Sequence, residues 1–278
     1  GQVGDTGLIL VDPLTSAEVA RAALAPARRT PSDKPVVAVI YTHSHLDHFA
    51  GVKGVVNAGD IAAGRVKIIA PQGFLEHAVT ENVIAGNAMS RRASYQFGSA
   101  LTAGPEGSMT CGIGARVSSG ARSLIAPTVE ITRTGQTLKI DGVTFVFQLT
   151  PETEAPAEMN FFLPRFGALC LAENANPSMH NVLTPRGALV RDAKRWADYL
   201  TEAQRLYGAQ SEILFTAHGW PRFGREAVND FIANHRDAYK YLHDQTVRLI
   251  NTGLTGEEIA ERLELPAALS AKWYNRGY

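Results

Sequence analysis

The sequence predicts an α/β protein in which two β-sheets face each other as a sandwich, followed by a helical segment. Three observations favour this class. The apolar run at residues 36–41 is typical of a buried parallel strand. Residues 129–150 form apolar or alternating segments around an Asp-Gly turn, which predicts antiparallel strands. From residue 193 onward, apolar residues recur at helical spacing.

The first part of the chain alternates predicted strands and helices. Residues 5–13 read as a strand whose partners lie outside this sequence. Residues 15–24 predict a helix, because capping hydroxyls come first, Glu18 follows and the apolar spacing is helical. A polar turn at 28–35 leads to the strand at 36–41, and we expect a helix to begin at 49–56.

The middle of the chain is less regular. Residues 66–71 predict a short strand, and residues 73–88 predict a helix that carries His77. The segment 98–120 contains six glycines and a proline, which is too many for regular structure. We interpret it as a mobile loop over an active site or, alternatively, as a disordered surface insertion. Its polar members that could reach a substrate are Arg116, Ser118 and Ser119.

The second sheet is predicted from five segments. They are residues 129–134, 136–140, 143–150, 161–164 and 168–172. Asp141-Gly142 joins the second and third of them as a hairpin turn.

Helices are expected at Ala193–Tyr207, at Arg225–Asn251 and after a capping box formed by Thr255 and Glu258. We therefore divide the chain into a catalytic domain, 1–224, and the start of a helical region, 225–278. His235 and His243 lie within the helical patterns and are expected to be packing or surface residues.

Composition limits the possible partners. The 278 residues are 45% hydrophobic, enough for a full core, and carry 27 basic and 27 acidic side chains. This balance argues against a nucleic-acid partner but leaves a small anionic substrate open. No apolar run is long enough to span a bilayer, so we expect no stable membrane insertion. Two cysteines are too few for a disulfide scaffold.

The most informative stretch directly follows the strand at 36–41. It contains His43, His45, Asp47 and His48, three imidazoles and a carboxylate within six residues. Loops at the carboxyl ends of parallel strands are where α/β proteins place their sites. Imidazole and carboxylate without thiolate suit a catalytic zinc or a similar divalent ion. We therefore predict two adjacent metal sites; the alternative is a histidine-rich surface loop.

The pattern His-x-His-x-Asp-His resembles that of the metallo-β-lactamase fold hydrolases. Shorter motifs follow in the order seen in the alkylsulfatases of that fold, the sodium dodecyl sulfate hydrolase type. These are Ala88-Met89-Ser90-Arg91-Arg92, Thr153-Glu154-Ala155, Ala172-Glu173, Met179-His180-Asn181, Arg186-Gly187-Ala188 and Ala217-His218-Gly219. The resemblance covers nearly the whole chain. It implies an αββα sandwich and zinc-dependent hydrolysis of alkyl sulfate esters to alcohol and sulfate.

The resemblance also implies a ligand set for two zinc ions. One ion is held by His43, His45 and Glu154, and the other by Asp47, His48 and His218. Glu173 and a hydroxide bridge both ions, so Glu173 and Asp47 are the expected catalytic residues. His77 is an alternative ligand, because many relatives of this fold place a histidine after such a strand. Glu158 is expected to lie outside the ligand set.

Asn181 and Arg186 match the positions that hold the sulfate group in the resembling family. A guanidinium presents a planar fork that suits an oxyanion. The alternative is that Arg186 pairs with an acid such as Asp192. Leu189 and residues 172–178 depart from the usual pattern, which leaves the alkyl chain and the protonating group open.

By the same resemblance the chain is an internal fragment, with strands before it and a helical dimerisation region continuing after it. A homodimer and a periplasmic or secreted location are expected for the whole protein. The alternatives are another hydrolase of the same fold, such as a lactonase or phosphodiesterase, or an inactive metal-binding fragment.

Overall fold

The computed structural model describes residues 2–29, 33–112 and 114–277, so part of the predicted turn at 28–35 and one residue of segment 98–120 lie outside them. Two β-sheets face each other across an apolar core that contains Ile40, Phe147 and Phe161. Helices cover the outer face of each sheet. The predicted αββα layering is confirmed.

The first sheet has five strands in sequence order. They are β1 (Gln2–Val3), β2 (Leu8–Val11), β3 (Val36–Ile40), β4 (Lys67–Pro71) and β5 (Val129–Ile131). β1 pairs antiparallel with β2, and the other neighbours are parallel. The expectation that the partners of residues 5–13 lie outside the sequence was wrong, since β2 pairs with both β1 and β3.

The second sheet has six strands. They are β6 (Thr137–Ile140), β7 (Val143–Leu149), β8 (Met159–Leu163), β9 (Ala168–Cys170), β10 (Ile213–Phe215) and β11 (Arg222–Phe223). They lie in the order β11-β10-β9-β8-β7-β6, and only the β9–β10 pair is parallel. The Asp141-Gly142 turn joins β6 to β7 as predicted. Both turn residues have positive φ, 43° and 83°, as a tight hairpin requires.

The helices are α1 (Ala17–Arg29), α2 (Ala58–Ala62), α3 (Phe74–Val79), α4 (Gly86–Gln96), α5 (Ala193–Tyr207), α6 (Arg225–Asn251), α7 (Gly256–Arg262) and α8 (Ala267–Ser270). α1 and α3 pack on the first sheet, and α5 and α6 pack on the second. The predicted bounds of α5 and α6 and the Thr255–Glu258 capping box are confirmed. In the part of the chain that the structure describes, no helix combines the length and apolar character needed to cross a membrane.

Residues 129–134 were predicted in the second sheet, and this was wrong. β5 pairs parallel with β4 in the first sheet, with Val129 opposite Ile69 and Ile131 opposite Pro71. The local pattern indicates a strand but does not identify its partner, because the partner lies about 60 residues earlier in the chain.

The helix expected at residues 49–56 was also wrong, since 3-10 turns at Leu46–His48 and Val52–Gly54 replace it. The segment before α1 crosses directly over this loop, where a Cβ atom on Gly51 would lie 2.1 Å from the carbonyl oxygen of Pro13. Leu14 accepts the Gly51 N–H, and the carbonyl of Ala50 accepts the Ser123 N–H. These contacts occupy a backbone N–H group and a carbonyl group that would otherwise form the hydrogen bonds of an α-helix.

α6 shares a core with the second sheet. Trp196 of α5 stacks on Tyr239 of α6 with ring centroids 4.2 Å apart, and both contact the cluster that contains Leu171 and Leu214. Residues 225–251 therefore complete the outer helical layer of the sandwich. The dimerisation role given to 225–278 stays a prediction.

Candidate metal centre

The site lies where the two sheets meet at the carboxyl ends of β2, β3, β9 and β10. The loop after β3 is joined to the second sheet by backbone hydrogen bonds, of which Met159 N–H to Thr42 O measures 2.9 Å. His43 and Glu158 form an isolated antiparallel bridge at the same place. This junction fixes the histidine loop of one sheet against the acidic loops of the other.

A first group of donors comprises His43, His45 and Glu154, all buried. Glu154 Oε2 lies 3.3 Å from His43 Nε2 and 2.7 Å from His45 Nδ1. The Thr42 hydroxyl lies 3.0 Å from the other ring nitrogen of His43. Burial, followed by the neighbouring His48, lowers the pKa of His43 well below its usual value, which favours the neutral form that ligates metals.

A second group comprises Asp47, His48, Glu173 and His218. Glu173 Oε1 lies 2.5 Å from His218 Nε2 and 3.0 Å from His48 Nε2. Asp47 Oδ2 lies 3.2 Å and 3.4 Å from the same two nitrogens. Although burial raises the pKa of Asp47, His48 and His218 hold it well below its usual value. The structure thus brings together all seven side chains of the predicted ligand set.

Asp12 supports the second group and was not predicted from the sequence. Its carboxylate accepts hydrogen bonds from the backbone and hydroxyl of Thr42 at 2.8 and 2.7 Å and lies 2.9 Å from His48 Nδ1. Such a contact fixes the ring so that Nε2 faces Asp47 and Glu173, where an ion would lie. The sequence does contain a signal for Asp12. This residue directly follows the apolar strand Leu8–Val11, in the same way that the histidine motif follows β3.

The residues fit divalent ions. Five buried atoms of the two groups lack a hydrogen bond of acceptable geometry among the residues that the structure describes. One of them, Nε2 of His45, lies 3.8 Å from Glu81. The other four are Nε2 of His43, His48 and His218, and Oε2 of Glu154. Buried polar groups without partners are unfavourable, and these four converge within their groups. Cations would satisfy all of them, and the nitrogen and oxygen donors suit zinc-like ions.

The outer carboxylate oxygens of the two groups face His180. Its Nε2 lies 3.2 Å from both Glu154 Oε1 and Glu173 Oε2. The three side chains satisfy the distances of a further metal group. However, Arg191 Nη2 lies 2.6 Å from the same Glu154 oxygen, and its positive charge opposes another cation there. His180 is therefore best described as a link between the two carboxylates.

Arg191 is almost fully buried, with 3% of its side chain exposed. It donates to the carbonyl and carboxylate of Glu154, both at 2.6 Å, and to the carbonyl and amide oxygens of Asn181 at 2.8 and 2.6 Å. The sequence motifs contain His180 but predict no role for it, and no local pattern indicates Arg191. Asn181, predicted to contact sulfate, thus has its amide oxygen against Arg191.

Glu158 lies beside the metal ligands, outside the groups. It accepts hydrogen bonds from the Thr153 hydroxyl at 2.8 Å and from the backbone N–H of Glu173 at 3.1 Å. Burial and the nearby Glu154 raise the pKa of Glu158 to about 8. Its role is to hold the acidic loops in register. Within residues 2–29, 33–112 and 114–277, His77, His235 and His243 belong to no metal group.

A cavity of about 1260 Å³ opens over the metal groups. Arg186 lines it, and its Nε and Nη2 are buried without a hydrogen-bond partner in the described part of the chain. Asp192, named as an alternative partner, instead caps the amino end of α5, but another acid does lie near Arg186, since Glu81 Oε2 is 3.7 Å from its Nη2. Arg116 and Ser118 of segment 98–120 border the cavity, and the described residues of this segment are irregular as predicted. Much of the remaining lining is apolar and includes Leu14, Phe49, Met89, Phe97, Val117 and Leu124.

Comparison with known proteins agrees with this geometry. The chain is 46% identical over 275 residues to an alkyl/aryl-sulfatase of Saccharomyces cerevisiae, covering 99% of this chain and 43% of that protein. It is 47% identical over 275 residues to a linear primary-alkylsulfatase of Pseudomonas sp, covering 99% of this chain and 41% of that protein. The chain therefore spans less than half the length of these relatives.

A solved structure gives the same result. The stereoselective inverting sec-alkylsulfatase of Pseudomonas sp. superposes with a TM-score of 0.96 at 46% identity, covering 99% of this chain and 44% of that one. Residues 2–218 match the family description "Metallo-beta-lactamase superfamily". Because that match extends over most of its length, the chain belongs to the metallo-beta-lactamase superfamily.

Proposed function

We propose that this protein hydrolyses alkyl sulfate esters to an alcohol and inorganic sulfate with the help of two zinc ions. The proposal depends on Arg186, whose Nε and Nη2 atoms are buried without a hydrogen bond to the described residues and which lines the same cavity as the metal groups. A guanidinium fork binds tetrahedral oxyanions through parallel N–H donors. The names of the relatives, all alkylsulfatases, support the same substrate class.

Different side chains would bind the metal ions, the sulfate group and the alkyl chain. His43, His45 and Glu154 would hold one ion, Asp47, His48 and His218 the other, and Glu173 would contact both. Two divalent cations at this place would lower the pKa of a water molecule and stabilise negative charge on the departing sulfate. Arg186 orients the sulfate group beside the two cations, and Asn181 is proposed to contact the same sulfate group. The apolar lining accommodates the alkyl chain and excludes bulk water.

We propose that water attacks carbon, so that the bond broken is the one between carbon and the ester oxygen. Sulfate is a stable anion and leaves with the electron pair of that bond, while the water oxygen keeps one proton and becomes the alcohol oxygen. The second proton of the water is released to the solvent. The structural neighbour is described as inverting, and inversion at carbon requires this bond to break. Hydrolysis in ¹⁸O-labelled water should therefore label the alcohol. Label found only in sulfate would contradict attack at carbon.

The substrate class is tested by turnover with the full-length protein. Alkyl sulfates, alkyl phosphates, phosphodiesters and lactones of matched chain length are compared in the presence of zinc. We expect the highest kcat/KM for the sulfate. A higher kcat/KM for a phosphodiester or lactone would replace the proposal with another hydrolase of the superfamily, and retained zinc without any turnover would indicate an inactive metal-binding protein.

Zinc identity and stoichiometry need their own measurement. Elemental analysis after dialysis should give two zinc ions per chain, because the two donor groups are separate and lack the thiolates of a structural site. The homodimer and the periplasmic or secreted location are proposed on the likeness to alkylsulfatases. Sedimentation of the full-length protein and fractionation of the producing cells test them.

A further inference from the structure

Glu81 is a charged side chain that lines the cavity, and the proposed reaction does not use it. It lies on a π-helical turn at Thr80–Ile84, between α3 and α4. Its side chain is 11% exposed, whereas Val83 and Ile84 of the same turn are 69% and 77% exposed. The turn therefore buries Glu81 in the wall of the cavity, whereas Val83, which also borders the cavity, and Ile84 are mostly exposed. Single π-helical turns occur often at functional sites.

The carboxylate of Glu81 lies between the proposed anion site and the metal centre. Its Oε2 is 3.7 Å from Arg186 Nη2 and 3.8 Å from His45 Nε2. Its Oε1 is buried and has no hydrogen-bond partner among the described residues. These separations are too long for direct hydrogen bonds, so the main effect of Glu81 on a bound anion is electrostatic.

The backbone of Arg186 is held in place without Glu81. Gln96 Oε1 accepts hydrogen bonds from the backbone N–H of Arg186 and from the Thr184 hydroxyl, both at 2.8 Å. α4 thus anchors the loop that carries the guanidinium. A carboxylate is not needed to fix this loop, and its negative charge beside an anion site requires another explanation.

We propose that Glu81 is a specificity-determining residue that selects singly charged esters over doubly charged ones. This inference rests on the proposed function. An alkyl sulfate carries one negative charge, whereas a phosphate monoester carries close to two above its second pKa of about 6. Glu81 repels both, but the repulsion grows in proportion to the charge of the ligand. Arg186 attracts either ligand, and Glu81 adds the discrimination against the dianion.

The test uses two ligands that are not hydrolysed, decyl sulfonate and decyl phosphonate, in buffer basic enough to keep the phosphonate doubly charged. Their dissociation constants are measured by calorimetry for the zinc-loaded full-length protein and for Glu81→Gln. Glutamine keeps the size of the side chain and removes its charge. Glu76→Gln on α3 is the matched control, since Glu76 is exposed and does not line the cavity.

We expect Glu81→Gln to improve phosphonate binding relative to sulfonate binding by about tenfold, the ratio that corresponds to ~1.4 kcal/mol for one extra unit of charge. Glu76→Gln should leave the ratio unchanged. An unchanged ratio in Glu81→Gln would overturn the proposal. Loss of zinc without a change in ratio would do the same, because it would assign Glu81 to the support of His45.

Turnover measured in parallel separates the two proposals. If the wild-type protein hydrolyses decyl sulfate and the binding ratio does not move, only the role of Glu81 fails. If the wild-type protein hydrolyses no alkyl sulfate, the proposed function fails, and the inference about Glu81 falls with it.

Discussion

Replacing Arg191 by methionine should destabilise the protein more than any change to its exposed arginines. The guanidinium makes four hydrogen bonds of 2.6–2.8 Å to Glu154 and Asn181. Methionine keeps much of the volume but leaves the Glu154 carboxylate buried without its positive partner. Breaking a buried ion pair in this way costs about 3–5 kcal/mol. For a chain of 278 residues, that corresponds to a fall in Tm of about 5–9 °C.

Bound cations should determine how much of the free energy of unfolding the Arg191→Met variant loses within the range of about 3–5 kcal/mol. Zinc also balances the charge of Glu154, so the free energy of unfolding should fall by about 3 kcal/mol with zinc and about 5 kcal/mol with a chelator. Urea unfolding in both conditions measures the difference.

Arg195→Met is the matched control for Arg191. Arg195 lies on α5, its side chain is 53% exposed, and its ion pairs are on the surface, so the loss should be about 0–1 kcal/mol. A loss below about 1 kcal/mol for Arg191→Met without zinc would refute the reasoning.

The remaining predictions concern three side chains. Glu173→Ala should lose at least one zinc per chain because its oxygen lies against both His48 and His218, and full zinc content by elemental analysis would remove it from the ligand set. Arg186→Ala should lower kcat/KM for alkyl sulfates by about 10- to 100-fold at unchanged zinc content. Lysine at this position should restore only part of the lost kcat/KM. An unchanged kcat/KM in the alanine variant would exclude Arg186 from the substrate site. Burial lowers the pKa of His235 in the folded protein to about 4, although contacts with two carbonyl groups act in the opposite direction. As pH falls below about 6.5, His235 is therefore protonated in the unfolded chain before it is protonated in the folded protein. The free energy of unfolding of the metal-free protein should then fall toward pH 4, and His235→Gln should reduce this slope in denaturant unfolding; an equal slope would contradict the assignment.

Local patterns predicted the elements that local interactions determine. The bounds of α5 and α6 follow from apolar spacing, and the β6–β7 hairpin follows from Asp141-Gly142. The sheet that contains β5 and the turns at 49–56 depend on contacts with distant residues. In the second case, the crossing of Pro13 over Gly51 prevents a helix that the sequence pattern favours.

The candidate site shows the same division. The histidine motif is compact in sequence, and the motif order located the two glutamates and the last histidine. Arg191 and Glu81 are single charges within segments that carry other charges, so nothing in the sequence distinguishes them. Their positions become informative only when folding buries them beside Glu154 and Arg186.

The junction between the two sheets gives the metal centre a mechanical consequence. His43, His45 and His48 follow a strand of one sheet, while Glu154, Glu173 and His218 follow strands of the other. Ions bound there would hold the open end of the sandwich together, because each of the two donor groups takes side chains from both sheets. Chelation should therefore speed amide hydrogen exchange at the ends of β3 and β9 together, before the helical layers loosen. Cohesion of the two halves and reactivity toward substrate would then depend on the same cations.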